Sequence, residues 1–321
     1  MSKPGPLLFA LKGSQAYGAR VAQHLGCELA EHEERLYEDG EHNSRPLQPV
    51  AGREAVVFHS LYGDDRQSGN DKLCHLLFFC GALKDAGARR VQVVAPYLCY
   101  GRKERRTQPQ DPIISRYVAV MFEACGVDRL LTLEVHNDAA FDNAFRIPSQ
   151  NLPGATLFAE YFAAQVAEYE VVAVSPDSGG VKRAEQFRHA LQQRLGRPVA
   201  SAYMAKHRRN DDIVTDSVLI GDVAGKTAII VDDLISTGNT LLRAAEACHA
   251  AGATRILAGA VHGLFTAGSE LLDSPLLETI VVFDSVPPFR LAPELAAQRL
   301  KIIDSSAAVA ALLAEEYGLN R

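Results

Sequence analysis

Several signatures of other protein classes are missing from this chain of 321 residues. No apolar run approaches the roughly 20 residues of a membrane span, and the opening MSKPGPLLFALKGSQ is too weakly hydrophobic for a signal peptide. A cytoplasmic protein without membrane contact is expected. Cys27, Cys74, Cys80, Cys99, Cys125 and Cys248 form no Cys-x-x-Cys pair and no metal-type spacing, so they read as buried thiols in a reducing compartment. The positive excess that nucleic acid attracts is also lacking: 33 Lys and Arg face 39 Asp and Glu, a net charge of -6. No nucleic-acid partner is expected on that balance. Low-complexity linkers are absent as well. What remains, 47% hydrophobic and 22% charged, is an ordinary globular composition long enough for two domains.

Strand-like and helix-like runs alternate almost throughout, which predicts α/β units around largely parallel sheets. Strands are expected at 7–11, 55–59, 91–95, 130–135, 171–174, 217–220, 227–231, 255–261, 279–283 and 301–303. Helices are expected at 14–26, 70–86, 113–125, 155–168, 181–195, 240–251 and 307–317. An internal repeat relates ALKDAGARRVQVVAP, from Ala82, to ACHAAGATRILAGAV, from Ala247. It predicts two related halves divided near Pro153, residues 1–153 and 154–321. In the first half Phe58-His59-Ser60 stands where Val231-Asp232-Asp233 stands in the second, so only the second half should keep an acidic site there.

That acidic site opens the most informative stretch. The β-branched run from Thr227 to Val231 ends in Asp232 and Asp233, and the loop Ser236-Thr237-Gly238-Asn239-Thr240 follows and leads into an alanine-rich helix. A short loop opening into a helix gathers backbone N–H groups and hydroxyls at one spot, where the helix dipole also favours an anion. Two carboxylates beside a phosphate repel it unless they serve another part of the same ligand, such as sugar hydroxyls or a metal. A phosphorylated sugar satisfies both halves; a capped turn with a solvated Asp pair is the bland alternative.

Other clusters lie at similar places. Asp177-Ser178-Gly179-Gly180 follows a strand and precedes a helix, a backbone cradle suited to a diphosphate with a divalent metal. Lys206-His207-Arg208-Arg209, on an expected loop, suggests a mobile clamp for phosphoryl oxygens. Arg102 and Lys103 open a basic run just beyond one strand, and His136 stands at the end of another, where α/β proteins usually bind ligands. Tyr37-Glu38-Asp39-Gly40-Glu41 sets an aromatic ring near carboxylates in a turn, suited to a stacked base.

Together these segments resemble the ribose-phosphate diphosphokinases, also called phosphoribosyl-diphosphate (PRPP) synthetases, over nearly the whole chain. The resemblance implies two duplicated domains of the type I phosphoribosyltransferase kind, each a mainly parallel sheet flanked by helices. It implies transfer of the β,γ-diphosphoryl group of ATP to the 1-hydroxyl of ribose 5-phosphate, with Mg²⁺, in a homo-oligomer, dimer or hexamer. Tyr37, Asp39, Glu41, Arg102, Lys103 and His136 would then bind ATP. Asp177, Ser178, Gly179 and Gly180 would form the diphosphate loop, with His136 and Asp177 supporting the metal. Lys206 and Arg208 would be catalytic, while Asp232, Asp233, Ser236, Thr237, Gly238, Asn239 and Thr240 would hold ribose 5-phosphate. No general base stands out, and the reaction need not have one.

Departures from the family pattern are specific. The ATP segment reads Arg102-Lys103-Glu104 rather than Arg-Gln-Asp, Glu134-Val135-His136 replaces Asp-Leu-His, and Ser236 and Asn239 stand where many members carry Asp and Gly. Thr107 to Pro112 and His262 to Gly268 differ from segments tied in the family to phosphate activation and ADP inhibition, so weak or absent regulation of that kind is expected. The alternatives are a silent regulatory subunit, which should have lost the basic or the acidic pair, and a phosphoribosyltransferase, which usually carries only one such domain.

Overall fold

The computed structural model describes residues 5–208, 215–266 and 270–319, with the backbone alone for 206–208 and 215–216. Two compact units divide the chain: Met1–Leu152 with Asp304–Arg321, and Pro153–Ile303. The first unit runs β1 (Leu7–Ala10), α1 (Gln15–Leu25), β2 (His32–Leu36), β3 (His42–Pro46), β4 (Glu54–Phe58), α2 (Gly69–Asp85), β5 (Arg90–Ala95), α3 (Ile114–Ala124), β6 (Arg129–Leu133), α4 (Asp138–Ala144) and β7 (Ser149–Leu152). The second runs α5 (Ala155–Ala163), β8 (Val171–Ser175), α6 (Val181–Leu195), β9 (Ala200–Arg208), β10 (Thr215–Ile220), β11 (Thr227–Ile235), α7 (Asn239–Ala250), β12 (Arg255–Gly263), α8 (Glu270–Asp273), β13 (Thr279–Phe283), α9 (Pro293–Arg299) and β14 (Leu300–Ile303). The last helix, α10 (Ser306–Tyr317), belongs to the first unit.

The first unit's five-stranded sheet has the order β1-β4-β5-β6-β7 and is parallel throughout, with β2-β3 as a separate antiparallel hairpin. The second unit's sheet has the order β10-β9-β8-β11-β12-β13-β14, parallel except for the β9–β10 hairpin at one edge. Strands such as Ala55 to Phe58 and Ala228 to Val231 are buried along their length, the continuous apolar pattern expected of parallel strands covered on both faces. The duplication is visible in the register. Phe58 pairs with Val94 on β5, and Val231 pairs with Gly259 on β12, the two partners being equivalent positions of the repeat.

The sequence division assigned everything beyond residue 153 to the second half, whereas residues from Asp304 onward return to the first unit. A buried polar residue gives the reason. Gln92, in the middle of β5, is fully buried, and its amide is satisfied from α10: Nε2 donates to Glu316 Oε2 at 3.1 Å, and Tyr317 Oη donates to its Oε1 at 2.8 Å. Glu316 also takes Arg90 at 2.6 Å and Arg129 at 3.1 Å. In the second unit α5, the helix that follows β7 in the chain, packs on α6 as α10 packs on α1.

Candidate functional site

In the second unit the chain leaves β8 for β9 on one side and reaches β11 on the other, so the order reverses between β8 and β11. Such a switch point opens a crevice at the carboxyl ends of the strands. Pairing of β8 with β11 stops at Val174–Ile230, while β11 follows β12 on to Ile235–Gly263. Asp232 and Asp233 therefore lie within β11, past the point where β8 has turned away. The sequence reading put the strand's end at Val231; continued pairing with β12 extends it.

Both carboxylates are largely withdrawn from water, with 13% of the Asp232 side chain and 6% of Asp233 exposed. Asp232 Oδ1 accepts the N–H of Asp233 at 2.8 Å. Burial, then the neighbouring Asp233, pushes the Asp232 carboxyl well above the ordinary carboxylate range, and Arg183 pulls it back. Arg183 Nη1 stands 3.4 Å from Asp232 Oδ1 and 3.8 Å from Asp233 Oδ1. The sequence reading missed this residue. Its signal was there: Arg183 lies three residues past Gly180, one turn into a helix that begins at the expected diphosphate loop.

The loop from Ser236 to Thr240 leads directly into α7. Gly238 is the helix N-cap at φ 83° and brings no capping side chain of its own, which suits the first turn to an external anion. A Cβ at Gly238 would lie 2.8 Å from Leu271 Cβ, so sterics and backbone both call for glycine. Ser236 Oγ is 2.9 Å from Thr266 Oγ1, and Asn239 N–H reaches Thr237 Oγ1 at 3.5 Å. Ser236 thus braces the loop against the segment after β12.

Asp177 shapes the loop between β8 and α6. Its Oδ1 accepts Gly180 N–H at 2.8 Å, and Ser175 Oγ donates to its carbonyl at 2.7 Å. A Cβ at Gly180 would meet Ser175 Oγ at 2.8 Å, while Ser178 and Gly179 are exposed. Lys206 and Arg208 differ from the expectation of a loop. Their backbone closes β9, with Lys206 opposite Ser217 and Arg208 opposite Thr215 on β10. Antiparallel pairing makes this an edge hairpin rather than irregular chain. The Lys206 and Arg208 side chains, and all of Arg209, lie outside the described residues.

In the first unit, Tyr37, Asp39 and Glu41 form the exposed tip of the β2–β3 hairpin. Tyr37 N–H donates to the Glu41 carbonyl at 2.8 Å, and Asp39 Oδ1 accepts Glu41 N–H at 3.0 Å. Tyr37 is 46% exposed and lines an open depression of about 630 Å³ with Leu36, Glu38, Asp39 and Glu41. Stacked imidazoles of His42 and His75, with centroids 3.6 Å apart, fix the hairpin to α2. Arg102 and Lys103 lie in the exposed loop after β5, where Lys103 N–H donates to the Tyr100 carbonyl at 2.9 Å. His136 follows β6 just beyond Glu134, which is buried at φ 38°. That left-handed turn in a non-glycine residue is the sort of backbone strain found at functional sites.

The first unit has closed its own version of the acidic site. His59 and Ser60 replace the aspartates and are tied to Ser14 Oγ, His59 Nδ1 at 3.3 Å and Ser60 N–H at 2.9 Å. Burial, then Lys72, pushes His59 down to about 3, so the imidazole is neutral. In the following loop Asp64 Oδ1 accepts the N–H groups of Arg66 and Gln67, both at 2.9 Å, and Oδ2 holds the buried Lys72 ammonium at 2.6 Å. An internal carboxylate takes the donors that an external anion would use.

Comparisons with known proteins show the family. Residues 7–126 match the N-terminal domain of ribose phosphate pyrophosphokinase, and residues 212–316 match the phosphoribosyl synthetase-associated domain. Ribose-phosphate pyrophosphokinase 1 of Streptococcus pneumoniae is 35% identical over 283 residues, 87% of this chain and 84% of that protein. The chain belongs to the ribose-phosphate pyrophosphokinase family. The Streptococcus mutans protein of the same name is 36% identical over 89% of this chain and 87% of its own length. The crystal structure of phosphoribosylpyrophosphate synthetase from Mycobacterium smegmatis matches with a TM-score of 0.83 at 25% identity, covering 99% of this chain and 100% of that one. Within this pyrophosphokinase fold, no described helix is long and apolar enough to cross a membrane.

Proposed function

We propose that this chain is a cytoplasmic ribose-phosphate diphosphokinase that converts ATP and ribose 5-phosphate to PRPP and AMP. The observation that carries the reading is the acidic pair at the strand-order reversal, one short loop from the helix N-terminus at Gly238, on a chain of this family. The ribose 1-hydroxyl oxygen attacks the β-phosphorus, the bond from that phosphorus to the α–β bridging oxygen breaks, AMP leaves, and the hydroxyl proton passes to solvent. Such transfers depend on in-line positioning and on cations around the transferring oxygens.

Each residue serves one of those needs. The Ser236–Thr240 loop would hold the 5-phosphate through backbone N–H groups and the hydroxyls of Thr237 and Thr240. Asp232 and Asp233 would accept hydrogen bonds from the ribose 2- and 3-hydroxyls and so orient the 1-hydroxyl. Lys206 and Arg208 would close on the β-phosphoryl oxygens. In the first unit Tyr37 would stack on adenine, Asp39 and Glu41 would accept from its amine, and Arg102, Lys103 and His136 would bind ATP phosphates or their counter-ion.

Mg²⁺ suits the donors. Among the described residues no three His, Cys, Asp or Glu side chains gather into a metal site, whereas Mg²⁺ binds through one or two carboxylates plus substrate phosphates and waters. Asp177 in the diphosphate loop would be a carboxylate for such an ion in the second unit, and His136 a donor for an ion that accompanies ATP in the first. The ion would neutralise phosphoryl charge as the diphosphate moves.

A homo-oligomer fits the exposed Tyr37 hairpin, whose open depression leaves a base pocket to be completed by a second copy. Incubation with ATP, Mg²⁺ and ribose 5-phosphate tests the activity. AMP that appears only with the sugar phosphate supports it. Its absence points to a silent subunit, and consumption of PRPP with a free base points to a phosphoribosyltransferase.

A further inference from the structure

The structure sets the Arg183 guanidinium against the acidic pair, and it is built in rather than draped over the surface. Its side chain is 9% exposed, on the first turn of α6, immediately behind the diphosphate loop. Nη1 reaches both carboxylates, at 3.4 and 3.8 Å, and passes 3.5 Å from where a Cβ of Gly180 would lie. One cation therefore touches the strand that carries the aspartates and abuts the loop shaped by Asp177. A buried charge of this kind is costly unless several partners hold it, and two carboxylates packed this closely repel each other unless a cation lies between them.

We propose that Arg183 is a positioning residue for the sugar: it holds Asp232 and Asp233 together as a two-carboxylate receptor for the ribose 2- and 3-hydroxyls and locks that receptor to the diphosphate loop. The inference rests on the reading of the pair as the ribose site. Arg183 does not touch the reacting atoms. It offsets the repulsion between the two carboxylates and holds them aimed, so that the receptor distinguishes a sugar with both hydroxyls from one lacking the 2-hydroxyl. Asp177 on the neighbouring loop and His262 on the neighbouring strand do not supply that cation. Asp177 is a third negative charge, and His262 on β12 is engaged by Ser285 Oγ at 2.8 Å.

The test is the binding of two probes, ribose 5-phosphate and 2-deoxyribose 5-phosphate, to the full-length protein by calorimetry, with ATP affinity as a control. The parent protein should prefer the ribose compound by at least about tenfold, the value expected when a buried hydrogen-bond acceptor loses its donor. In Arg183→Gln that preference should fall to about twofold or less, because ribose 5-phosphate, which uses both hydroxyls, weakens more than the deoxy probe, while ATP changes little. A merely structural role would weaken both sugars alike. Should Arg183→Gln not fold, Arg183→Lys is decisive: ribose 5-phosphate three- to tenfold weaker and weakened more than the deoxy probe supports the proposal, and equal weakening of both probes overturns it. Full preference retained in either variant also overturns it, leaving the reading of the pair intact. A parent protein that binds neither sugar phosphate, or binds both equally, overturns that reading and the inference with it.

Discussion

Replacing Asp232 with asparagine should make the protein more stable and less able to hold its sugar. Burial first and Asp233 second hold the Asp232 carboxyl above the ordinary carboxylate range, with Arg183 opposing them. The folded state therefore binds this proton more tightly than the unfolded chain, whose value is near 4. Because the folded state carries the extra proton, this group favours folding fully at low pH and loses that contribution as pH rises through the folded-state value. The cost of a second buried charge is therefore felt by the parent protein increasingly as pH rises. Asparagine keeps the Oδ1 that receives Asp233 N–H at 2.8 Å and leaves Arg183 facing one carboxylate instead of two. The variant should be more stable than its parent at pH 8, and the gain should shrink toward pH 4. Losing one charged acceptor for a ribose hydroxyl should cost about 1.5–3 kcal/mol of binding, roughly ten- to a hundredfold in affinity. Urea unfolding at pH 5 and pH 8, with calorimetric titration of ribose 5-phosphate, measures both effects. A variant less stable than its parent at pH 8, or a stability difference that is the same at both pH values, refutes the charge argument.

Three further predictions address other parts of the molecule. His59 sits at about 3 in the folded state and about 6.5 unfolded, so its contribution is full above pH 6.5 and is lost as pH falls; between pH 7 and pH 4 this amounts to about 3 kcal/mol. His59→Asn should lose correspondingly less stability over that range in urea titrations, and an equal loss in both proteins contradicts the assignment. Gly238→Ala, forced to φ 83° with Leu271 Cβ at 2.8 Å, should lower unfolding stability by about 2 kcal/mol or more and weaken ribose 5-phosphate binding; an unchanged melting temperature and affinity would count against the loop geometry. Lys206→Ala should reduce kcat at least roughly a hundredfold with little change in the KM for ribose 5-phosphate, whereas near-parental turnover removes Lys206 from the chemistry.

Much of this molecule is legible in the chain because the parallel strands are buried on both faces and read as unbroken β-branched runs. Thr227 to Val231, Val91 to Ala95 and Thr279 to Phe283 are of that kind. The β2–β3 hairpin was not expected, since His32 to Leu36 and His42 to Pro46 are short and polar, and their pairing rests on a tight turn at Gly40 rather than on hydrophobic pattern. The segment Lys206 to Arg208 reads as a loop because its basic run carries no hydrophobic pattern, whereas it continues β9 past the end of β8 by pairing with β10 alone. The return of α10 to the first unit depends on Gln92, whose burial cannot be seen until the sheet is built. At the site, Asp232, Asp233 and the Gly238 loop announce themselves through spacing along one strand-loop-helix unit. Arg183 does not, because its partners are 49 residues away on another strand and only the fold brings them together.

The central claim is that the second unit presents ribose 5-phosphate as the acceptor of a diphosphoryl group. Phosphorus NMR of the purified protein turning over ATP, Mg²⁺ and ribose 5-phosphate tests it most directly, because the products differ in where the phosphorus–oxygen bonds end up. The predicted result is AMP and a diphosphate ester on the sugar's 1-oxygen, formed one for one and only when the sugar phosphate is present. Formation of ADP with a singly phosphorylated sugar, or no change in ATP beyond the sugar-free control, contradicts it.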